Sequence, residues 1–130
     1  MKLSLLILAA PYHAAGSLTA LRYCETALDS GHQIHRLFFY GEGVHNATLL
    51  AAPPQDELDI PAAWRALIQT HQLDAIVCIA AALRRGIINP GESRRYEKPA
   101  SNLDPEFQLG GLGLLAEAAN DSDRVISFGA

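Results

Sequence analysis

The chain has 130 residues, 49% hydrophobic and 18% charged, which is enough apolar material for a packed core and argues against disorder. Ten Lys and Arg against 14 Asp and Glu leave a net charge of −4, which speaks against a protein that works by coating nucleic acid. No apolar stretch approaches the ~20 residues of a membrane helix. Two cysteines, Cys24 and Cys78, are too few for a disulfide scaffold or a four-ligand zinc site. The expectation is one small soluble domain, residues 1–130, in a reducing compartment.

Strand and helix signals alternate along the chain. Leu3 to Ala9 is a continuous apolar run, as in a strand covered on both faces. With Met1-Lys2 ahead and Ala14-Ala15-Gly16 behind, it also resembles a short signal peptide. The single Lys makes a weak charged region, and the buried strand is the preferred reading. Ser17 to Leu28 carries Leu18, Leu21 and Leu28 at helical spacing, closed by Ser30-Gly31. Ile34 to Tyr40 predicts a second strand. Asp56 to Thr70 predicts a helix with three acids at its start and Ile60, Trp64, Leu67 and Ile68 on one face. Leu73 to Ile79 predicts a third strand and Ala80 to Arg85 a short helix. Gly86 to Pro105 reads as a long loop, Leu109 to Ala119 as a helix weakened by Gly110, Gly111 and Gly113, and Arg124 to Phe128 as a last strand. The fold class is therefore α/β: a mostly parallel sheet with helices on both faces, in the three-layer manner of flavodoxin.

Such a sheet gathers chemistry at the carboxyl ends of its strands. Four segments converge there: Pro11-Tyr12-His13, Tyr40 to His45, Cys78 with the residues after it, and Gly129-Ala130. Only one holds a strong nucleophile. A thiol between a strand and a helix start faces unpaired amides and the positive end of the helix dipole, which lower a thiol pKa. Arg84 and Arg85 follow one to two turns later and add positive potential. A buried, inert thiol is the competing account. Cys24, in mid-helix among Leu21, Ala27 and Leu28, reads as core.

Other constellations carry less. Cys78 and Arg84 fit the C-x5-R spacing of cysteine phosphatases, but Ile79-Ala80-Ala81-Ala82-Leu83 suits a helix rather than an anion cradle. His13 and His45 stand at strand ends and could line a Cys78 site, although exposed loop histidines are the plainer account. Gly41-Glu42-Gly43 is too short for a phosphate loop and carries an acid where none is wanted. Asp56, Glu57 and Asp59 read as a solvated helix start, not a metal site. Half of the ten basic residues fall between Arg84 and Lys98, namely Arg84, Arg85, Arg94, Arg95 and Lys98, with Glu92 and Glu97 offsetting them in part. That segment is either a solvated loop or a docking patch for an acidic partner or an anionic substrate such as polysulfide.

Phe38-Phe39-Tyr40-Gly41-Glu42-Gly43-Val44-His45-Asn46-Ala47 resembles the FFY-x-x-GV-x-N-A segment of the DsrE/TusD sulfurtransferases. Cys78 to Gly86 looks like that family's active-cysteine motif. Ser101-Asn102-Leu103, Gly110-Gly111-Leu112-Gly113 and Asp123-Arg124-Val125 match in order, so the resemblance spans nearly the whole chain. It implies a single DsrE-like domain whose Cys78 accepts sulfane sulfur as a persulfide and passes it on, with no cofactor and no metal. It also implies a cytoplasmic heterohexamer with TusB/TusC-like or DsrF/DsrH-like subunits, a TusA-like donor and a TusE/DsrC-like acceptor, without direct nucleic-acid or membrane contact. One branch of the family serves 2-thiolation of the tRNA wobble uridine, which Leu83 in the cysteine motif favours; the other serves sulfur oxidation. Sibling subunits can lack an active cysteine, so a scaffold role is the reading from another class. Arg84 and Arg85 are candidate substrate-binding residues, inferred from their charge. The segment Ala9 to Gly16 departs from the family patterns, and no role passes to His13.

Overall fold

The computed structural model describes residues 1–129. In chain order its elements are β1 (Lys2–Ile7), α1 (Gly16–Asp29), β2 (Gln33–Phe39), a 3-10 segment (Gly41–Ala47), α2 (Ile60–His71), β3 (Ala75–Cys78), α3 (Ile79–Arg84), α4 (Pro90–Arg95), β4 (Gln108–Gly110), α5 (Gly113–Asp121) and β5 (Arg124–Phe128). The five strands form one parallel sheet in the order β4-β3-β2-β1-β5. Helices cover both faces, as the alternating pattern requires.

Strand register divides the side chains between those faces. Leu5 and Ile7 of β1 lie beside Leu37 and Phe39 of β2 and Ile126 and Phe128 of β5. This face meets α1 and α2: the Phe39 ring stands edge-on to Trp64 with centroids 5.2 Å apart, and Tyr23 packs on Phe128. Ser4 and Arg36 share the opposite face, covered by α5. There the nearly buried Arg36 guanidinium donates to the Asp74 carboxylate at 2.7 Å and to the Leu114 carbonyl at 2.8 Å, pinning α5 to the sheet. A β-bulge between Leu3 and Ser4 sets the pairing of β1 with β2.

Helix ends follow local chemistry. α1 buries Ser17, Ala20, Leu21, Cys24 and Ala27, an i, i+3, i+4 stripe. It closes into Gly31 at φ +86°, a conformation that favours glycine. Asp59 caps α2 by accepting from the Ala62 amide at 3.1 Å.

Three expectations need correction. Asp56 and Glu57 precede α2 instead of forming its first turn, because Asp59 is the residue whose side chain caps it and Ile60-Pro61 start it. The long loop contains α4, nucleated by Asn89, whose side chain accepts from the Glu92 amide at 2.8 Å, with Pro90 as its first residue. The expected helix from Leu109 starts four residues late, because Gln108 to Gly110 pair with Ile76 to Cys78 as β4. Of the Gly129-Ala130 end, Ala130 lies outside the described residues.

Candidate active site at the carboxyl end of the sheet

The FFY-x-x-GV-x-N-A stretch builds the floor of this end. A Cβ on Gly43 would run into the Ile7 carbonyl, so only glycine lets the 3-10 segment close over the end of β1. Asn46 is fully buried and acts as a hub. Its amide donates to the carbonyls of Ala9 and Gly43, both at 2.9 Å, and its oxygen accepts from the Ser17 hydroxyl at 2.5 Å. Trp64 donates to the same hydroxyl at 3.3 Å. Four segments are thereby tied together: the end of β1, the start of α1, the 3-10 segment and α2. Gly16 completes the closure, since a Cβ there would meet the Gly129 carbonyl and lie 2.8 Å from the Ala9 Cβ. Asn102 does similar work further on, accepting from the Ile88 amide and donating to the Gly86 carbonyl, each at 2.9 Å.

Cys78 is the last residue of β3 and the cap position of α3, with φ −58° and ψ 118°. It is 3% exposed, and its register partner on β4 is Gly110. A Cβ at Gly110 would stand 2.5 Å from Leu114 Cδ1 and 2.9 Å from Ile76 Cγ2, so glycine admits α5 against the sheet beside the cysteine. Cys24 is buried too, but in mid-helix instead of at a strand end. It is wholly buried in α1, and burial followed by the nearby Glu25 charge pushes its thiol up to about 12. The core reading of Cys24 holds.

The two arginines after Cys78 part company. Arg85 folds back, its Nε donating to Glu42 at 2.7 Å and its Nη1 to the Ala81 carbonyl at 3.1 Å. Arg85 holds the Glu42 carboxyl below the usual carboxylate range through that hydrogen bond and its charge, with His45 and His13 assisting. His45 Nε2 lies 3.4 Å from Glu42. The sequence left His13 and His45 as exposed loop histidines that could line a Cys78 site; the structure sets His45, with Arg85, against Glu42, and the charge of His13 also bears on that carboxyl. The sequence marked Glu42 only as an acid unsuited to a phosphate loop, and its pairing with Arg85 was not visible there because the two lie 43 positions apart. Arg84 instead lines a groove of about 410 Å3 with Ala80, Leu83, Ile88, Tyr96 and Lys98. Arg95 pairs with Glu92 at 3.6 Å and stacks over the Tyr96 ring at 5.2 Å, while Arg94 and Lys98 are exposed.

Among the described residues no helix is long and apolar enough to cross a membrane. The sequence profile of the DsrE/DsrF-like family matches residues 1–128. The chain is 52% identical over 119 residues to a protein of Pseudomonas aeruginosa named as a homolog of sulfurtransferase TusD, covering 92% of this chain and 91% of that one. It is 46% identical to the DsrE protein of Allochromatium vinosum, covering 99% of both. It is 43% identical to sulfurtransferase TusD of Salmonella enteritidis, over 98% of this chain and all of the other. The crystal structure of the ychN protein from E. coli superposes with a TM-score of 0.75 at 19% identity, over 98% of this chain and 99% of that one, which shows the shared fold. Full-length likeness at these identities makes the chain a member of the DsrE/DsrF-like family and a sulfurtransferase.

Proposed function

We propose that the chain carries sulfane sulfur on Cys78 and relays it to the thiol of another protein. The observation that supports this most is the near-full-length identity to proteins named as sulfurtransferases. The Cys78 thiolate attacks the outer sulfur of a donor persulfide. A new S–S bond forms, the donor's S–S bond breaks, and the donor leaves as a thiolate. An acceptor thiolate then attacks the outer sulfur of the Cys78 persulfide and releases the Cys78 thiolate. Thiolates carry every electron pair, so the exchange requires neither a metal nor an organic cofactor. Arg84 and Arg85 supply positive potential for the anionic persulfide, with Arg85 held in place by Glu42. Burial of Cys78 to 3% exposure favours a sheltered persulfide, reached by small donors or by an extended segment of a partner.

The whole chain, residues 1–130, then acts as one DsrE-like unit in a cytoplasmic heterohexamer with two homologous subunits. A TusA-like protein loads it, a TusE/DsrC-like protein unloads it, and nucleic acid is not touched directly. The destination of the sulfur is the tRNA wobble uridine, a reading supported by the TusD names at 52% and 43% identity. The DsrE relative at 46% keeps sulfur oxidation as the second reading. Deleting the gene lowers wobble 2-thiouridine in tRNA hydrolysates on the first reading; intact thiouridine with impaired sulfur-compound oxidation supports the second.

Differential alkylation separates a carrier from a scaffold. Iodoacetamide at neutral pH labels Cys78 at least ~10-fold faster than Cys24 if Cys78 is the nucleophile. Two equally sluggish thiols would move the chain to the scaffold role.

A further inference from the structure

We infer that Tyr40 is a further catalytic residue of the sulfur transfer: its phenol donates a hydrogen bond to the Cys78 sulfur as that sulfur takes up negative charge. This inference rests on the relay reading above and adds a residue to it. β2 and β3 pair with Leu37 level with Ala75, Phe38 with Ile76 and Phe39 with Val77. The next residues along are Tyr40 and Cys78. Tyr40 is extended, at φ −135° and ψ 160°, and Cys78 still belongs to β3, so the alternation of the two strands carries through both. Tyr40 and Phe38 therefore share one sheet face with Cys78 and Ile76, and level positions on neighbouring strands lie ~5 Å apart. On its other flank Cys78 is level with Gly110, over which Leu114 and Ile76 fill the space. Of these flanking side chains only Tyr40 carries a hydrogen-bond donor.

The Tyr40 ring is half-buried and edge-on to Phe38, with centroids 6.4 Å apart. Among the described residues its hydroxyl has no hydrogen-bond partner, and it is not closed off from solvent. The Tyr12 hydroxyl, by comparison, is engaged twice, donating to the Leu58 carbonyl at 2.7 Å and accepting from the Ile60 amide at 2.9 Å. At 3% exposure Cys78 has little water to solvate a thiolate, and a charge formed there requires a donor. On unloading, the acceptor thiolate forms a bond to the outer sulfur, the Cys78 Sγ–S bond breaks, and the electron pair stays on Sγ. The phenol meets that charge with a hydrogen bond and keeps its own proton, so the step consumes no further reagent.

The test replaces Tyr40 by Phe, which keeps the ring on Phe38 and removes only the hydroxyl; Tyr23→Phe, on the opposite sheet face against Phe128, is the control. Protein loaded with polysulfide is unloaded by 2-mercaptoethanol, and mass spectrometry follows the return to the free thiol per loaded Cys78. Tyr40→Phe is expected to unload ~10-fold more slowly than the wild type at an unchanged melting point, while Tyr23→Phe matches the wild type. The pH at which iodoacetamide labelling of unloaded Cys78 is half-maximal should also rise in Tyr40→Phe. The ionisable groups at this end are Glu42 and His45 on the 3-10 segment, His13 ahead of α1, and Arg84 and Arg85 at the end of α3; β4 brings none, and Glu117 of α5 faces Arg36. All are the same in both variants, so they do not account for a difference between them. Unloading of Tyr40→Phe within ~2-fold of the wild type, or slower unloading with an unmoved labelling profile, would overturn the inference and leave Tyr40 a packing residue. A wild type that takes up no sulfur would instead strike the relay reading, so the two failures can be told apart.

Discussion

Replacing Asn46 by Ala probes the joint that holds the carboxyl end of the sheet together. The substitution removes two donated bonds, to Ala9 and Gly43, and one accepted from Ser17, at a site with no solvent to replace them. At ~1 kcal/mol per bond, with ~1 kcal/mol more for the small void, the loss comes to about 3–4 kcal/mol. That is a large part of the ~5–15 kcal/mol that a domain of this size possesses. The single tryptophan is itself a reporter, because Trp64 shares the Ser17 hydroxyl with Asn46. Urea titration followed by Trp64 fluorescence measures the change directly. Ser17→Ala should cost less, ~1–2 kcal/mol, and the double variant less than the sum, since the two residues share a bond. A loss below ~1 kcal/mol for Asn46→Ala, at unchanged urea slope, would refute the hub role.

Three further outcomes follow from the same geometry. Gly43→Ala forces a methyl group into the Ile7 carbonyl and should weaken the Tyr40 amide bond to that carbonyl, 3.0 Å in the native chain. Its melting point should fall by more than that of Gly113→Ala, where a Cβ meets nothing within 4 Å; equal shifts would contradict the close approach. The Glu42 carboxyl should titrate below the ordinary carboxylate range by NMR and move up in Arg85→Gln. Its folded value is depressed, so the stabilisation is present above the ordinary range and lost as pH falls through the folded value; an unshifted Glu42 would remove the latch. Cys24, with its thiol at about 12, should resist alkylation at pH 8 until the chain unfolds. Its folded value is raised, so its contribution to stability is lost as pH climbs past the ordinary 9.0 toward 12. A Cys24→Ala variant without that alkaline loss would agree, and one that kept it would not.

The strands that proved legible were those long enough to form apolar runs. β1, β2 and β3 lie inside the sheet with both faces in protein and read as mostly apolar stretches, broken by Ser4 in β1 and by His35 and Arg36 in β2; the edge strand β5 also matched the expected Arg124 to Phe128. β4 was not legible: three residues ending in glycine give no period, and its existence depends on β3 lying alongside. α4 did leave a signal, Asn89-Pro90 with Glu92 three residues after the cap, masked by the surrounding prolines and charges. At the site, the sequence placed Cys78 correctly at a strand end and Cys24 in the core. It gave no hint that Arg85 belongs to Glu42, since ion pairs across 43 residues follow from tertiary approach alone. The family motif was visible as letters, but the reasons for Gly43 and Asn46, a backbone contact and three buried hydrogen bonds, required the folded chain.

Sulfur loading on Cys78 is tested most directly by intact-protein mass spectrometry after incubation with polysulfide, comparing the wild type with Cys78→Ser. A gain of ~32 Da per added sulfur atom in the wild type alone, with the variant's circular dichroism unchanged, is the predicted result. An unmodified wild type, or an adduct that survives in Cys78→Ser, would contradict the relay and leave Cys78 a packed thiol.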